Sequence, residues 1–493
     1  MKQQLAGMWM ATKYYLIIAS YLVCCITKAH AQPNGVDQPP LGAAIDIHRD
    51  SSLPNFHSAT PFTIGTIFVT GNKKTKQYII ERELPFRKGD SVYLPELVKG
   101  FEIARQQLMN TSLFLEAVVS LKAFRGYEVD IQIDVKERWY IFPIPYVKPV
   151  DRNLQEFMKQ GIGVDRLNYG FKFQWNNFTG RNDKLKIWLI TGYTKQIQFL
   201  YEQPYADKSL KHGYKVGFIY NSLNEINYAT LNNEQQFSDS SGVNKRWYGH
   251  VDYTYRPGLR TFNAVRLGFI SQEIDSQVLV LNPKYMGTTN KTKIFYPELS
   301  YSLNYYKVDY IPFPLTGWMG EVFFLKRGIN QDMNMWQLNG KMTKSQKIAK
   351  KTYYSWQAQG MIRLPFDQPF VNQRMFGYSD MYLRGLEDYV VDGVASVLVR
   401  QSLRREILNF NLPTYLKSKS YAHIPFRFYL KVFGDYGYVH NPVNPENSLT
   451  NRNLYTAGVG IDMVTFYDIV LRLDYSFNQL GENGLFLHIK SDF

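Results

Sequence analysis

The sequence predicts a mostly β protein: a transmembrane antiparallel β-barrel of about 16 strands, preceded by one small α+β domain. Three observations lead there. From residue 142 onward, segments of about ten residues alternate apolar and polar side chains, the period of a half-buried strand. Aromatic residues make up 16% of the 493-residue chain, yet mean hydropathy is only −0.31. A membrane barrel has this polar average, because only every second residue meets lipid. Finally, the chain stops on Phe493 after a strand-like run in which Leu485, Leu487, Ile489 and Phe493 share one face. Phe486, His488, Lys490 and Asp492 share the other.

The N-terminus reads as a signal peptide over residues 1–31. Lys2 and Lys13 supply positive charge, residues 14–26 are apolar, and Ala29-His30-Ala31 is an A-x-A site ahead of Gln32. No stretch reaches the roughly 18 uninterrupted apolar residues of a membrane-spanning helix. Both cysteines, Cys24 and Cys25, lie inside this segment. Val23 suits lipobox cleavage poorly, so lipidation at Cys24 is not expected. The mature chain then has no thiol, which excludes disulfides and thiolate metal sites. Losing Lys2, Lys13 and Lys28 takes the formal charge from +15 to +12. Such a balance suits a charged lumen. No nucleic-acid-binding pattern accompanies it, so a nucleic-acid partner is not expected.

Residues 32–61 form a polar, proline-containing linker. A small domain follows over residues 62–139. Ile64, Thr66, Phe68 and Thr70 alternate in a strand that Gly71-Asn72 ends. Thr75 is placed to cap a short helix that Pro85 stops. Pro95 suits the first turn of a second helix. Leu97, Phe101, Ala104 and Leu108 make its apolar stripe. Two strands follow, residues 117–123 and 127–137, with Arg125-Gly126 at their turn. This β-α-α-β-β order resembles a POTRA domain, the periplasmic module of the Omp85 superfamily. The texts "IFVTGNKKTKQYIIERELPFRKGD", "LFLEAVVSLK" and "VDIQIDVKER" carry the resemblance. Such a domain can bind an extended peptide at a sheet edge, or can simply space the barrel from its partners.

Residues 140–493 are the barrel. Tyr214, Val216, Phe218 and Tyr220 form one apolar face, and Leu299, Tyr301, Leu303 and Tyr305 another. Leu471, Leu473, Tyr475 and Phe477 oppose Arg472, Asp474 and Ser476. Strands in lipid need partners on both sides, so closure into a barrel follows. The first barrel strand is expected at residues 169–176, with residues 140–148 as the competitor.

Met381-Tyr-Leu-Arg-Gly-Leu-Glu387 resembles the V/L-R-G-F/Y motif of the sixth extracellular loop in the Omp85 (BamA/TamA, surface antigen D15) superfamily. The succession "VASVLVRQSLRREI", "RFYLKVFGDYGYVH", "LYTAGVGIDM" and "IVLRLDYSFN" is similar in order. Leu386 stands where the family usually has an aromatic. The resemblance implies that the loop folds back into the barrel, with Leu383, Arg384, Gly385 and Leu386 as a structural latch. A guanidinium inside a barrel must find acceptors. If Val397, Val399, Leu403 and Ile407 face lipid, then Arg400, Arg404 and Glu406 face the lumen. If Leu430 and Val432 face lipid, so does Asp435 face the lumen. Arg384 is therefore expected to pair with Glu406 and Asp435; the alternative is a loop tip in water.

No G-x-S-x-G elbow, H-E-x-x-H or P-loop occurs, and the eight histidines are scattered. No enzyme activity, cofactor or metal is expected. The family resemblance implies assembly or translocation of proteins at the bacterial outer membrane. The POTRA domain would lie in the periplasm, and the seam between first and last strands would open. The C-terminal run Leu485, Leu487, Ile489 and Phe493 looks like the assembly signal of outer-membrane barrels. Implied partners are outer-membrane lipids, unfolded barrel clients or secreted cargo, and accessory subunits. A dedicated exporter, a subunit of one envelope complex and a passive pore are the alternatives.

Overall fold

The computed structural model describes residues 61–149, 167–287, 290–413, 423–443 and 447–489, apart from the side chains of 149 and 239–243. The expected signal-peptide residues Ala29, Ala31 and Gln32, the tether and Phe493 lie outside the described residues.

The small domain is built from β1 (Phe62–Thr70), α1 (Gln77–Arg82), β2 (Ser91–Val92), α2 (Leu94–Asn110), β3 (Phe114–Arg125) and β4 (Glu128–Glu137). Its sheet has the order β2-β1-β4-β3, with β1 parallel to β4. The apolar stripe of α2 lies against this sheet: Leu97, Ala104 and Leu108 are buried with Ile64, Val129, Ile131 and Ile133. Pro95 sits in the first turn of α2, where a missing N–H costs nothing. The expected cap of α1 is different. Lys76 is its N-cap, and the Thr75 hydroxyl instead accepts from Asn177 Nδ2 at 2.9 Å.

The second sheet has 16 strands. They are β5 (Ile141–Pro149), β6 (Leu167–Asn176), β7 (Lys184–Gly192), β8 (Thr194–Gln203), β9 (His212–Leu231), β10 (Glu234–Tyr255), β11 (Thr261–Ile274), β12 (Lys293–Val308), β13 (Gly317–Arg327), β14 (Met335–Ala349) and β15 (Thr352–Leu364). A short helix α3 (Ser276–Leu281) joins β11 to β12. After β15 a long loop holds the two-stranded β16 (Arg374–Phe376) and β17 (Val391–Asp392). Then come β18 (Ala395–Pro413), β19 (His423–His440), β20 (Asn453–Val464), β21 (Val470–Asn478) and β22 (Asn483–His488). Every neighbouring pair in this sheet is antiparallel.

The first strand is therefore β5, and residues 169–176 fall in the second. Pro143 and Pro145 hide β5 from a sequence reading, because proline is rare inside sheets. It is tolerated at an edge, which is where β5 lies.

Alternation sorts the two faces of the wall. Phe218, Val251, Leu299, Val432 and Tyr475 are exposed on the outside, whereas Asp252, Ser300, Lys431 and Asp474 are buried on the inside. Between β18 and β19 the ladder outruns its neighbours. Pairing with β15 ends at Arg405 and with β20 at Arg427, yet β18 and β19 continue to Pro413↔His423. The result is a ribbon standing off the domain-side rim. Leu408↔Phe428 and Phe410↔Phe426 are paired on it.

The small domain docks on five turns at that rim, which requires the sheet to curl. Lys76 N donates to Gly180 O at 2.9 Å. Arg82 Nε donates to Leu210 O at 2.7 Å. Ile311 N donates to Asn110 Oδ1 at 2.9 Å. Arg138 forks onto Asp468 at 2.7 and 2.9 Å. Centrally, Arg256 holds buried Glu83 by two bonds of 2.5 and 2.7 Å, and Tyr205 donates to the same carboxylate at 3.2 Å. Burial, reinforced by Glu83, pushes the Tyr205 phenol up to about 12. Burial alone would raise the Asp468 carboxyl, but hydrogen bonds and charge from Arg138 outweigh it and hold it low.

Two predictions follow from this docking. Glu83→Ala leaves Arg256 buried without its carboxylate, which costs about 3–5 kcal/mol. Amide exchange across α1 should accelerate while the barrel strands stay protected; unchanged exchange in α1 would contradict the clamp. Asp468 binds its proton more weakly when docked, so its contribution is complete above the ordinary carboxylate pKa of about 3.9. That contribution should fade as pH falls through the depressed value, read as faster α1 exchange in acid. Asp468→Asn should flatten the response.

Candidate functional site

The long loop after β15 turns back into the barrel and seats Arg384 against the inner wall. Arg384 is fully buried. Its backbone N and its Nε both donate to Asp435 Oδ2, at 3.0 and 2.9 Å. Its Nη2 reaches Asp435 Oδ1, completing a fork. Nη1 donates to Ser402 Oγ at 2.9 Å, and Nη2 to Gln401 O at 3.1 Å. The guanidinium lies over the Phe433 ring, 4.1 Å from its centroid.

Glu406, the other expected partner, meets Lys351 Nζ at 3.2 Å. Strand alternation puts Glu406 on the correct face, but it stands four residues beyond Ser402. At about 3.3 Å per residue that is about 13 Å along the strand. Ser402 and a backbone carbonyl take the donors that Glu406 was expected to satisfy.

The neighbours of Arg384 fit around it. Gly385 has φ of +97°, and a Cβ there would come within 2.8 Å of Ser476 Cβ. Only glycine combines that backbone with that approach. A Cβ at Gly437 would sit 2.8 Å from Leu383 Cδ1, so the wall is also pared back to admit Leu383. Leu386 is buried with Leu383, Met381, Phe376 and Leu454. An aliphatic side chain therefore fills this position without a ring.

An ionic network surrounds the loop on the inner faces of β18 to β21. Arg404 Nε lies 2.8 Å from Asp462 Oδ2, and Lys431 Nζ bridges Asp462 and Asp474 at 2.9 and 2.8 Å. Arg472 Nε lies 2.9 Å from Asp474 Oδ2. Gly460 leaves room for this bridge: a Cβ would meet Asp474 Oδ1 at 2.2 Å. The loop joins the network through Tyr382, whose hydroxyl accepts from Arg472 Nη2 at 2.7 Å. The loop also reaches the last strand. Glu387 lies 2.9 Å from His488 Nε2, and the Tyr382 ring stacks on His488 at 5.8 Å. Sequence reading missed these partners, although lumen-side alternation marks Arg472, Asp474 and Lys431.

The two ends of the sheet form the other half of the site. Among the described residues β22 and β5 are its edges, and no ladder joins them. β5 approaches the other end of the sheet at the β20–β21 turn, where the Phe142 ring meets Tyr467 at 5.8 Å. Leu485, Leu487 and Ile489 are strongly exposed on β22 and just beyond it.

The edge of β5 is chemically unusual. Its ladder with β6 runs unbroken through Pro143 and Pro145. Proline has no N–H, so the even-numbered residues make the bonds to β6. Asn176 N donating to Tyr140 O at 2.8 Å has the same parity. The odd-numbered residues face the free edge, and Pro143, Pro145 and Pro149 are among them. Only Ile141 and Val147 present an N–H there, whereas every odd position presents a carbonyl.

Residues 62–138 match the family model for POTRA, described as surface antigen variable number repeat. A curated relative is the outer membrane protein assembly factor BamA of Neorickettsia risticii (strain Illinois), 26% identical over 270 residues. The match covers 53% of this chain and 31% of that relative, so the chain spans under a third of the relative's length. The small N-terminal domain of this chain is thus a POTRA domain. Among solved structures the chain is similar to BamA from Haemophilus ducreyi lacking POTRA domains 1–3, at 16% identity and TM-score 0.48, covering 86% of this chain and 83% of that one. It is also similar to CdiB from Escherichia coli, at 10% identity and TM-score 0.44, covering 91% and 92%.

Arg384→Ala would leave Asp435 buried and uncompensated, a loss of about 3–5 kcal/mol. The variant barrel should unfold at a clearly lower temperature in detergent, read by heat-dependent gel mobility. Arg384→Lys should recover only part, because an ammonium cannot fork. Wild-type behaviour of both variants would refute a latch.

Proposed function

We propose that this chain assists the assembly or translocation of proteins at the bacterial outer membrane, with its POTRA domain in the periplasm. A client strand pairs transiently at the seam between β5 and β22. The observation that carries this reading is the seam itself: two strand edges without a ladder among the described residues, one of them deprived of most of its donors by prolines. In lipid, unpaired backbone is expensive. An incompletely bonded seam is therefore the place where an incoming strand gains most by pairing. The exposed Leu485, Leu487 and Ile489 suit contact with lipid or with a greasy client.

The loop latch supports the same reading. Arg384 fastens the loop to β18 and β19, and Glu387 and Tyr382 extend it to His488 on the seam strand. The loop thus supports β22 from inside, where an outer neighbour is missing. A passive pore fits less well, because the loop fills part of the lumen and the small domain sits on the rim.

Implied partners are outer-membrane lipids, unfolded barrel clients or secreted cargo, and accessory subunits. Depletion followed by quantitative proteomics of the outer membrane tests the reading. Loss of many barrels marks general assembly, and loss of one protein or a small set marks a dedicated exporter. No loss would end the proposal. The seam has its own test. Replacing Pro143 and Pro145 together with valine restores two edge donors. The variant should unfold at a higher temperature and lose assembly activity. Gained stability with full activity would show that the seam need not open.

A further inference from the structure

Away from the latch, a cavity of about 210 Å³ lies between the inner wall and the stem of the long loop. Three arginines line it: Arg246 from β10, Arg327 from β13 and Arg374 from β16. Tyr285, Tyr296, Asn221, Asn244 and Gln272 complete the polar lining, and no carboxylate lines it among the described residues.

The three guanidiniums are not equally satisfied. Arg327 holds Glu298 at 2.5 Å and Asn372 at 2.8 Å. Arg246 and Arg374 each bury an Nε with no hydrogen-bond partner. Arg374 makes one long bond to the backbone, Nη2 to Asn227 O at 3.5 Å, and also lies against the Tyr285 hydroxyl. Of the neighbouring carboxylates, Glu298 is held by Arg327, and Asp392, the ladder partner of Arg374, accepts from the Tyr378 hydroxyl at 2.6 Å through Oδ1. Buried donors without acceptors are costly, and two like charges facing one small cavity add to the cost. Elsewhere in this lumen charges are paired, as in the Lys431–Asp462–Asp474 bridge, or find neutral acceptors, as Arg363 does on Gln337 Oε1 and two backbone carbonyls. The contrast singles out this cavity.

We infer that the cavity binds a phosphate-class oxyanion, which bridges Arg246 and Arg327 on the wall to Arg374 on the loop stem. A guanidinium presents parallel N–H donors that match two oxygens of such an ion. A tetrahedral oxyanion has enough oxygens to serve three cations from different directions. The tyrosine hydroxyls offer further neutral donors. Filling the site would neutralise the mutual repulsion of the arginines and hold the loop stem to β10 and β13. This is a second attachment, independent of Arg384 and of any client.

The test is ligand-dependent stability of the purified full chain in detergent. Inorganic phosphate is titrated against sodium chloride at matched ionic strength, and the unfolding temperature is followed. Phosphate should raise it saturably, beyond the effect of chloride. Losing the charged hydrogen bonds of one arginine should weaken apparent phosphate affinity about tenfold or more. Arg246→Gln and Arg374→Gln should each show this, with Arg246→Lys intermediate. A parallel arm uses vesicles whose lipids do or do not carry a phosphate headgroup. A response to soluble phosphate assigns a free ion, and a response confined to the headgroup vesicles assigns a lipid phosphate. Equal effects of phosphate and chloride on the wild-type chain overturn the site. So does a phosphate response that survives unchanged in both glutamine variants. The readout is binding, so client assembly could fail or succeed without altering it.

Discussion

Everything inside this barrel depends on one constraint: a charge facing the lumen must find its counter-charge there, because the outside of the wall is greasy. Arg384 and Asp435 meet it with a forked pair supported by a serine hydroxyl, a carbonyl and an aromatic face. That pair determines where the long loop lies. Once it is seated, Gly385 must take its positive φ against β21, Leu383 must enter the space left by Gly437, and Tyr382 must meet Arg472. On the β18–β21 side the lumen is thereby a packed polar core. Glycine at 460 belongs to the same logic, since the ion bridge from Lys431 needs the volume that a side chain would take.

The wall obeys the opposite rule from its contents. Its middle strands are long, β10 having 22 residues. The described parts of its end strands are shorter, nine residues in β5 and six in β22. The prolines of β5 are compatible with a sheet only because no partner strand draws on their nitrogens. The last strand is compensated from within, through Glu387 and the stacked ring of Tyr382. Interior contacts and edge chemistry are therefore parts of one arrangement.

How much of this was legible in the sequence follows from which signals are periodic. The α2 stripe and the alternating faces of the barrel strands were readable, because helix and strand repeat their geometry every few residues. Alternation also placed Asp435 on the side of Arg384. It misplaced Glu406, because a period of two reports the face of a strand and not the height along it. The first strand, β5, was placed only second to residues 169–176; prolines weaken a strand signal by a local rule that edge position overrides. Thr75 has the chemistry of a helix cap but serves the docked turn. Glu83 and Arg256 are 173 residues apart, and no local pattern announces that they meet. The unsatisfied arginines of the second cavity were invisible for the same reason.

The ribbon that extends β18 and β19 past the rim has a mechanical consequence. Its Leu408, Phe410, Phe426 and Phe428 prolong the greasy stripe begun by Leu403, Leu430 and Val432. On this side of the cylinder the apolar band runs on past the rim where the neighbouring ladders end, which makes the belt uneven. A body with such a lopsided belt does not float upright. It leans until the belt lies level with the hydrocarbon, so the ribbon acts as a keel that sets the angle at which the barrel meets the membrane.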